Sequence, residues 1–306
     1  MLRSFLYNLF YQIKPWIPRW LQIMMRRGLV DFQLRRYKNI WPMDPNSFCV
    51  PESWPGWPDK KKFGFILTHD VESPVGHQTS LDLMRIEKDL GYVSCFNFVP
   101  ERYEVSKQIR DTLTKNGFEV GVHGLNHDGK LYHSKQIFNE RAAKINRYIA
   151  DWKATGFRSP AMHHKLEWLH QLNIQYDMSS FDTDPFEPQP DGVGTIFPFW
   201  ITDEKSGSKF LEFPYTLPQD FTLFIIMCES TNAIWKKKLD WIVEKGGMAL
   251  LNTHPDYMAL DGEKNSEQYS VDVYVDLLKY VRETYRDDCW FGLPGELAAY
   301  LNQSFK

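Results

Sequence analysis

Residues 63–72 read FGFILTHDVE, and the change of character within these ten residues sets the fold. Phe65, Ile66 and Leu67 form an unbroken apolar run, Thr68 favours extended backbone and Pro74 halts it, which predicts a short interior strand over 63–68. Side chains alternate along a strand, so Asp70 and Glu72 leave its carboxyl end on one side, and His69 and Val71 on the other. Two carboxylates on one face repel each other unless a metal ion, an Arg or a shared proton lies between them.

Outward from this strand, strand-like and helix-like segments alternate. Further strands are expected at 93–99, 119–123, 156–158, 175–178, 209–215 and 247–252. Helical spacing marks 80–91, 105–117, 134–152, 163–173, 233–247 and 274–288, and several of these end in Gly or Asn. The alternation predicts an α/β protein with parallel strands and crossover helices, as an open sheet or a barrel. In both, working residues gather at the carboxyl ends of strands. Five polar groups fall there: THDVE with Asp70 and Glu72, VHGLNHDG with His123 and His127, FRSPAMHH with Arg158, YDMSSFDTD with Asp177, and LLNTHPDY with His254.

A formal charge of −3 gives no reason to expect nucleic acid as a partner. The charge is uneven, because residues 1–40 hold eight Lys/Arg against Asp31 alone. Residues 1–60, this basic aromatic arm and a Pro/Trp-rich lead-in from Trp41, are expected to pack on a main domain at 61–306. Lys14, Pro15, Pro18 and Arg19 interrupt the arm, so neither a secretion signal nor a membrane span is expected. Its Trp, Phe, Tyr and Leu interleaved with Arg suit either packing over the body or peripheral membrane contact. Cys49, Cys95, Cys228 and Cys289 form no CxxC pair and read as reduced thiols of a cytoplasmic protein.

His123 and His127, four residues apart, can reach one point as divalent-metal ligands do, and Glu72 completes a His/His/carboxylate set. A lone HxxxH is weak evidence; its place opposite a paired-carboxylate strand end strengthens it. Asp70 is then the expected general base, activating a water whose pKa the ion lowers. His254 is placed to protonate a leaving amine or alkoxide. Arg158 is expected to fix Asp70 through a bidentate ion pair, and Asp177, or else Asp182 or Asp184, to orient His254 or Arg158. His69 is expected to be hydrogen-bonded behind the strand. His163 and His164 either contact substrate or face solvent, and the Pro/Gly-rich loop 184–200 either walls a sugar pocket or covers the core.

In family order, THDVE, HGLNH, RSP, YDMSS and LNTH resemble the motifs of the polysaccharide deacetylases, the NodB-type carbohydrate esterases. The resemblance runs over about residues 63–257 and is nearest to a WbmS-like subgroup with a T-H-D-x-[DE] first motif. Two departures stand out. Glu72 replaces the usual second Asp, and Ala161 stands where a Tyr normally follows R-x-P, leaving a backbone N–H near Ala161 for the oxyanion. The resemblance implies a distorted, incomplete (β/α) barrel and a hydrolase bearing one divalent ion, zinc first and iron or cobalt next, on Glu72, His123 and His127. It further implies removal of an acetyl group from an N-acetylated sugar, nucleotide- or lipid-linked, in surface polysaccharide or lipopolysaccharide biosynthesis at the inner membrane face. The alternatives are hydrolysis of another amide, such as a formamido sugar or a cyclic ureide, and a non-catalytic carbohydrate-binding relative.

Overall fold

The computed structural model describes residues 17–304, apart from Ser53, Asp261 and Glu263. Strand β1 (Phe63–Val71) is buried along its whole length. It outruns the expected 63–68 because Thr68–Val71 pair with β2 (Cys95–Phe98), so His69 and Asp70 lie within the strand and Glu72 follows it directly. The other edge of β1 carries β8 (Met248–Thr253) over Gly64–His69, while β11 (Cys289–Phe291) pairs beside its first residues. From β2 the sheet continues through β3 (Glu119–His123), β4 (Gly156–Arg158), β5 (Tyr176–Asp177) and β7 (Lys209–Glu212) to β6 (Phe199–Thr202). All these pairs are parallel except β6 with β7.

The ring closes imperfectly. Beyond β7 the chain returns to β8, where Leu217 bridges Leu251 and the Thr216 hydroxyl donates to the Met248 carbonyl and accepts from the Leu250 N–H. A side chain thus replaces part of the ladder, and the fold is a distorted, incomplete (β/α) barrel. Helices α2 (Pro74–Asp89), α3 (Lys107–Lys115), α4 (Lys135–Trp152), α5 (Ala233–Lys245) and α6 (Val271–Tyr285) bury apolar stripes against the strands. Their starts are locally encoded: Ser73, Ser106, Ser134 and Ser270 each accept a hydrogen bond from the first turn.

The structure departs from expectation where the signal was short or ambiguous. Residues 163–173 form only a 3₁₀ turn over Leu166–Gln171, and β6 and β11 arise where no strand was expected. A helix over Arg19–Tyr37, outside the expected set, packs on the body through Ile23 and Val30, and another over Pro294–Ser304 ends the described chain.

Candidate metal centre and active site

Asp70 is buried and gripped by two amides: Asn97 Nδ2 donates to Oδ1 (3.1 Å) and Asn252 Nδ2 to Oδ2 (2.9 Å). The register explains both, since Asp70 lies opposite Asn97 in β2 and Thr68 opposite Asn252 in β8. Burial works against the charge of Asp70, yet His123, Arg158 and His254 together with the Asn252 bond hold its carboxyl below the usual range. The expected bidentate pair with Arg158 does not form. Arg158 Nε stands 3.6 Å from Asp70 Oδ1, while Nη2 turns to Thr68 Oγ1 (3.0 Å) and to Met178 Sδ. The guanidinium supplies a buried positive field, and the asparagines supply aim.

Two residues on, Glu72 projects to the same side, as strand alternation requires. Its N–H donates to Asp256 Oδ2 (2.9 Å), and Asp256 also accepts from the Ser73 hydroxyl, which pins the end of β1 to the segment after β8. Glu72 Oε1 lies 2.8 Å from His127 Nε2 and 3.9 Å from both His123 Nε2 and His254 Nε2. Burial opposes the charge of Glu72 as well, but His127, His123 and His254 drive its carboxyl well below the usual range.

His123 ends β3, and its Nδ1 faces the Arg158 carbonyl at 3.1 Å. A carbonyl only accepts, so Nδ1 carries the proton and Nε2 keeps its lone pair toward Glu72. His127 reaches the same point through a strained turn: Gly124 has φ +62°, and His127 itself has φ +52°. At Gly124 an added Cβ would stand 2.4 Å from Pro160 Cγ, so the loop needs glycine there. A left-handed histidine persists only where its surroundings enforce it, and such strain gathers at functional sites.

The Nε2 atoms of His123 and His127 are buried and make no aligned hydrogen bond, and with a Glu72 oxygen they lie within 4.8 Å of one another. Two imidazole nitrogens that lack an aligned hydrogen bond and converge on one carboxylate fit a divalent cation. Among the described residues this is the one such cluster of His, Cys, Asp and Glu.

His254 follows β8 and presents Nε2 to the same space. Its N–H donates to Asp220 Oδ2 (2.8 Å) and its Nδ1 lies 2.7 Å from Asp220 Oδ1. Burial lowers the affinity of the imidazole for a proton, but Asp220, Glu72 and Asp70 outweigh it and push the group up to about 10. Asp220 is the orienting residue that sequence reasoning missed, and Tyr269 also donates to it (3.1 Å).

The residues expected in that role are engaged elsewhere. Asp177 accepts from the Ser179 N–H and hydroxyl and lies against Glu212, and burial pushes both carboxyls up. Asp182 pairs with buried Lys238 (2.8 Å), and Asp184 accepts from Tyr215 (2.8 Å). Asp177 ends β5 and is taken up by Ser179, whose hydroxyl accepts from the Ser159 N–H, so it holds the segment after Arg158 and not His254.

His163 lines a small crevice with His127, Tyr132, Arg141 and Pro160, whereas His164 turns its Nδ1 to the Met162 carbonyl (2.9 Å). Ala161 and Met162 both have positive φ, which bends the R-x-P segment over the site. On the far face of β1, His69 is hydrogen-bonded as expected, to Thr253 Oγ1 (2.8 Å) and Glu87 Oε1 (2.7 Å).

No family profile and no curated protein matches the sequence. Solved structures do match. A protein of Mycobacterium smegmatis assigned as a polysaccharide deacetylase superposes with a TM-score of 0.65 at 13% identity, over 84% of this chain and 96% of that one. The PuuE allantoinase gives 0.61 at 13% identity over 86% and 98%, and a protein of Pseudomonas aeruginosa assigned as a polysaccharide deacetylase gives 0.59 at 13% over 81% and 93%. The chain therefore has the fold of the polysaccharide deacetylases, and at this identity the likeness speaks to fold alone.

Proposed function

We propose that the protein is a metal-dependent hydrolase that removes an N-acyl group, acetyl first, from a sugar. The observation that carries this reading is the meeting of Asp70, Glu72, His123, His127, Arg158 and His254 at the carboxyl ends of β1, β3, β4 and β8, with two imidazole nitrogens turned to Glu72 without an aligned hydrogen bond. Glu72, His123 and His127 would hold a divalent cation, zinc first and iron or cobalt next. When bound, such an ion polarises an amide carbonyl and acidifies water.

The remaining work falls to this chain's own groups. Asp70, kept ionised by Arg158 and aimed by Asn97 and Asn252, takes the proton of the attacking water. A backbone N–H of the bent segment at Ala161 steadies the oxyanion. His254, anchored at Nδ1 by Asp220, gives its Nε2 proton to the departing amine. Charge and role are matched in both groups, since the base sits below the usual carboxylate range and the acid is held protonated at neutral pH. Asp177, paired with Glu212, stiffens the wall of the site and takes no part in proton transfer.

The WbmS-like first motif supports a place in surface polysaccharide or lipopolysaccharide biosynthesis, on a nucleotide- or lipid-linked substrate in the cytoplasm. A second reading, hydrolysis of a cyclic ureide with the same residues, is favoured by the shared fold of the PuuE allantoinase. Screening separates the two: the wild-type protein with added zinc, iron or cobalt should release acetate from N-acetylated sugars and leave allantoin intact. Allantoin turnover without acetate release would establish the ureide reading, and turnover of neither would leave a sugar-binding relative.

A further inference from the structure

The helix over Arg19–Tyr37, here α1, is held on one side only. Ile23 and Val30 face the body, Arg27 donates twice to the Ile225 carbonyl (3.1 and 2.8 Å) and Gln33 donates to the Pro185 carbonyl (2.9 Å). The helix is therefore fixed in orientation, and its other side is fixed outward. That side carries Trp20, Met24, Met25, Leu29 and Phe32, which are 66%, 55%, 51%, 57% and 66% exposed. They are five of the eight large apolar side chains exposed among the described residues. At helical spacing they share one half of the helix, and Gly28 between them would meet nothing within 4 Å if it gained a Cβ. Scattered apolar exposure needs no explanation, but a continuous face marks an interaction surface.

Charge selects the partner. Arg35, Arg36 and Lys38 are exposed at the C-terminal end of the face against one exposed acid of the helix, Asp31, whereas Arg19 at the other end turns to the body and pairs with Glu267 (3.1 Å). A second copy would set these cations against themselves. Residues 1–16 hold Arg3 and Lys14 and no acid, so they complement the face no better. An anionic lipid surface answers both features: Trp, Met, Leu and Phe enter the headgroup–acyl boundary while arginine heads reach lipid phosphates. No described helix is long and apolar enough to cross a membrane, so the contact is interfacial.

We propose that the Trp20/Met24/Met25/Leu29/Phe32 face of α1 docks the protein onto an anionic lipid surface. The docking holds whatever the chemistry of the metal centre. It also sets the site beside the lipid, because Arg19 at the start of α1 reaches the Tyr257 hydroxyl (3.5 Å) and the Tyr257 ring packs 5.4 Å from that of His254.

The test is sedimentation of the full chain with vesicles of phosphatidylcholine alone and of equal parts phosphatidylcholine and phosphatidylglycerol. Wild type should bind the anionic vesicles at least tenfold more tightly. Met25→Glu/Phe32→Glu, which alters only outward side chains, should abolish binding while circular dichroism stays unchanged. Arg35→Gln/Arg36→Gln should weaken binding roughly fivefold for each arginine removed. Wild type left in the supernatant with both vesicles, or a Met25→Glu/Phe32→Glu protein that sediments like wild type, would overturn the proposal. So would dimerisation in light scattering that the same glutamates abolish without any vesicle binding.

Discussion

The two faces of β1 use the same chemistry to opposite ends. Behind the strand, His69 lies between Glu87 and Thr253, and Glu87 also accepts from Ser94 (2.6 Å) and from Tyr274. In front, His123 and His127 meet Glu72, yet neither Nε2 has an aligned partner. Both are His/Glu clusters built against one strand, the rear one sealed and the front one part-open at Glu72 (19% exposed) and His127 (16% exposed). The difference teaches that residue type does not separate a structural cluster from a working one; hydrogen-bond satisfaction and access do.

The comparison breaks if mutations on the two faces behave alike. The largest expected effect is in front: Asp70→Asn should lower turnover by on the order of a thousandfold, read as initial rates of acyl release, while thermal unfolding shifts little. Behind, Glu87→Ala should leave His69, Ser94 and Tyr274 without their acceptor and cost on the order of 3 kcal/mol in urea unfolding, with metal content unchanged. A large stability loss in the first variant, or a metal loss in the second, would merge the two faces.

Gly124→Ala sharpens the contrast within the front face. The new methyl meets Pro160 at a positive φ, so about 2 kcal/mol of stability should go, and with it the placing of His127 and hence metal affinity, read by titration with zinc.

The last contrast is pH-dependent and concerns a third buried group, outside the site. Burial and the neighbouring Asp184 push Glu187 up to about 8, although it accepts from Tyr215 (3.1 Å) and Gln219 (2.9 Å). A carboxyl whose folded value is raised stabilises below the unfolded value near 4.5, and this contribution fades as pH climbs toward 8. Glu187→Gln should flatten the decline of urea stability across that window, with a slope shallower by on the order of 1 kcal/mol per pH unit.

What the sequence made legible was local. The period of two placed Asp70 and Glu72 on one face and His69 on the other, and the four-residue spacing put His123 and His127 at one point. What it hid was set by register between distant strands. Asn97 and Asn252 orient Asp70 because β2 and β8 align with β1, and Asp220 orients His254 because the chain returns to β8 at Leu217. A lone Asn inside the apolar CFNF strand was the available signal, and it was not read. Asp220 carries no such mark in LPQDF. Helix α1 escaped notice because apolar residues occupy two sides of it, which blurs the helical period.

The central claim is that the converging Nε2 atoms of His123 and His127 exist to hold an ion with Glu72. It is tested most directly by elemental analysis of purified wild type beside a His123→Ala/His127→Ala variant, each after exposure to zinc, iron and cobalt. The account predicts about one divalent ion per chain in wild type, by the single three-donor cluster among the described residues, and none retained in the variant. Wild type that retains no metal, or a variant that retains as much as wild type, would contradict it.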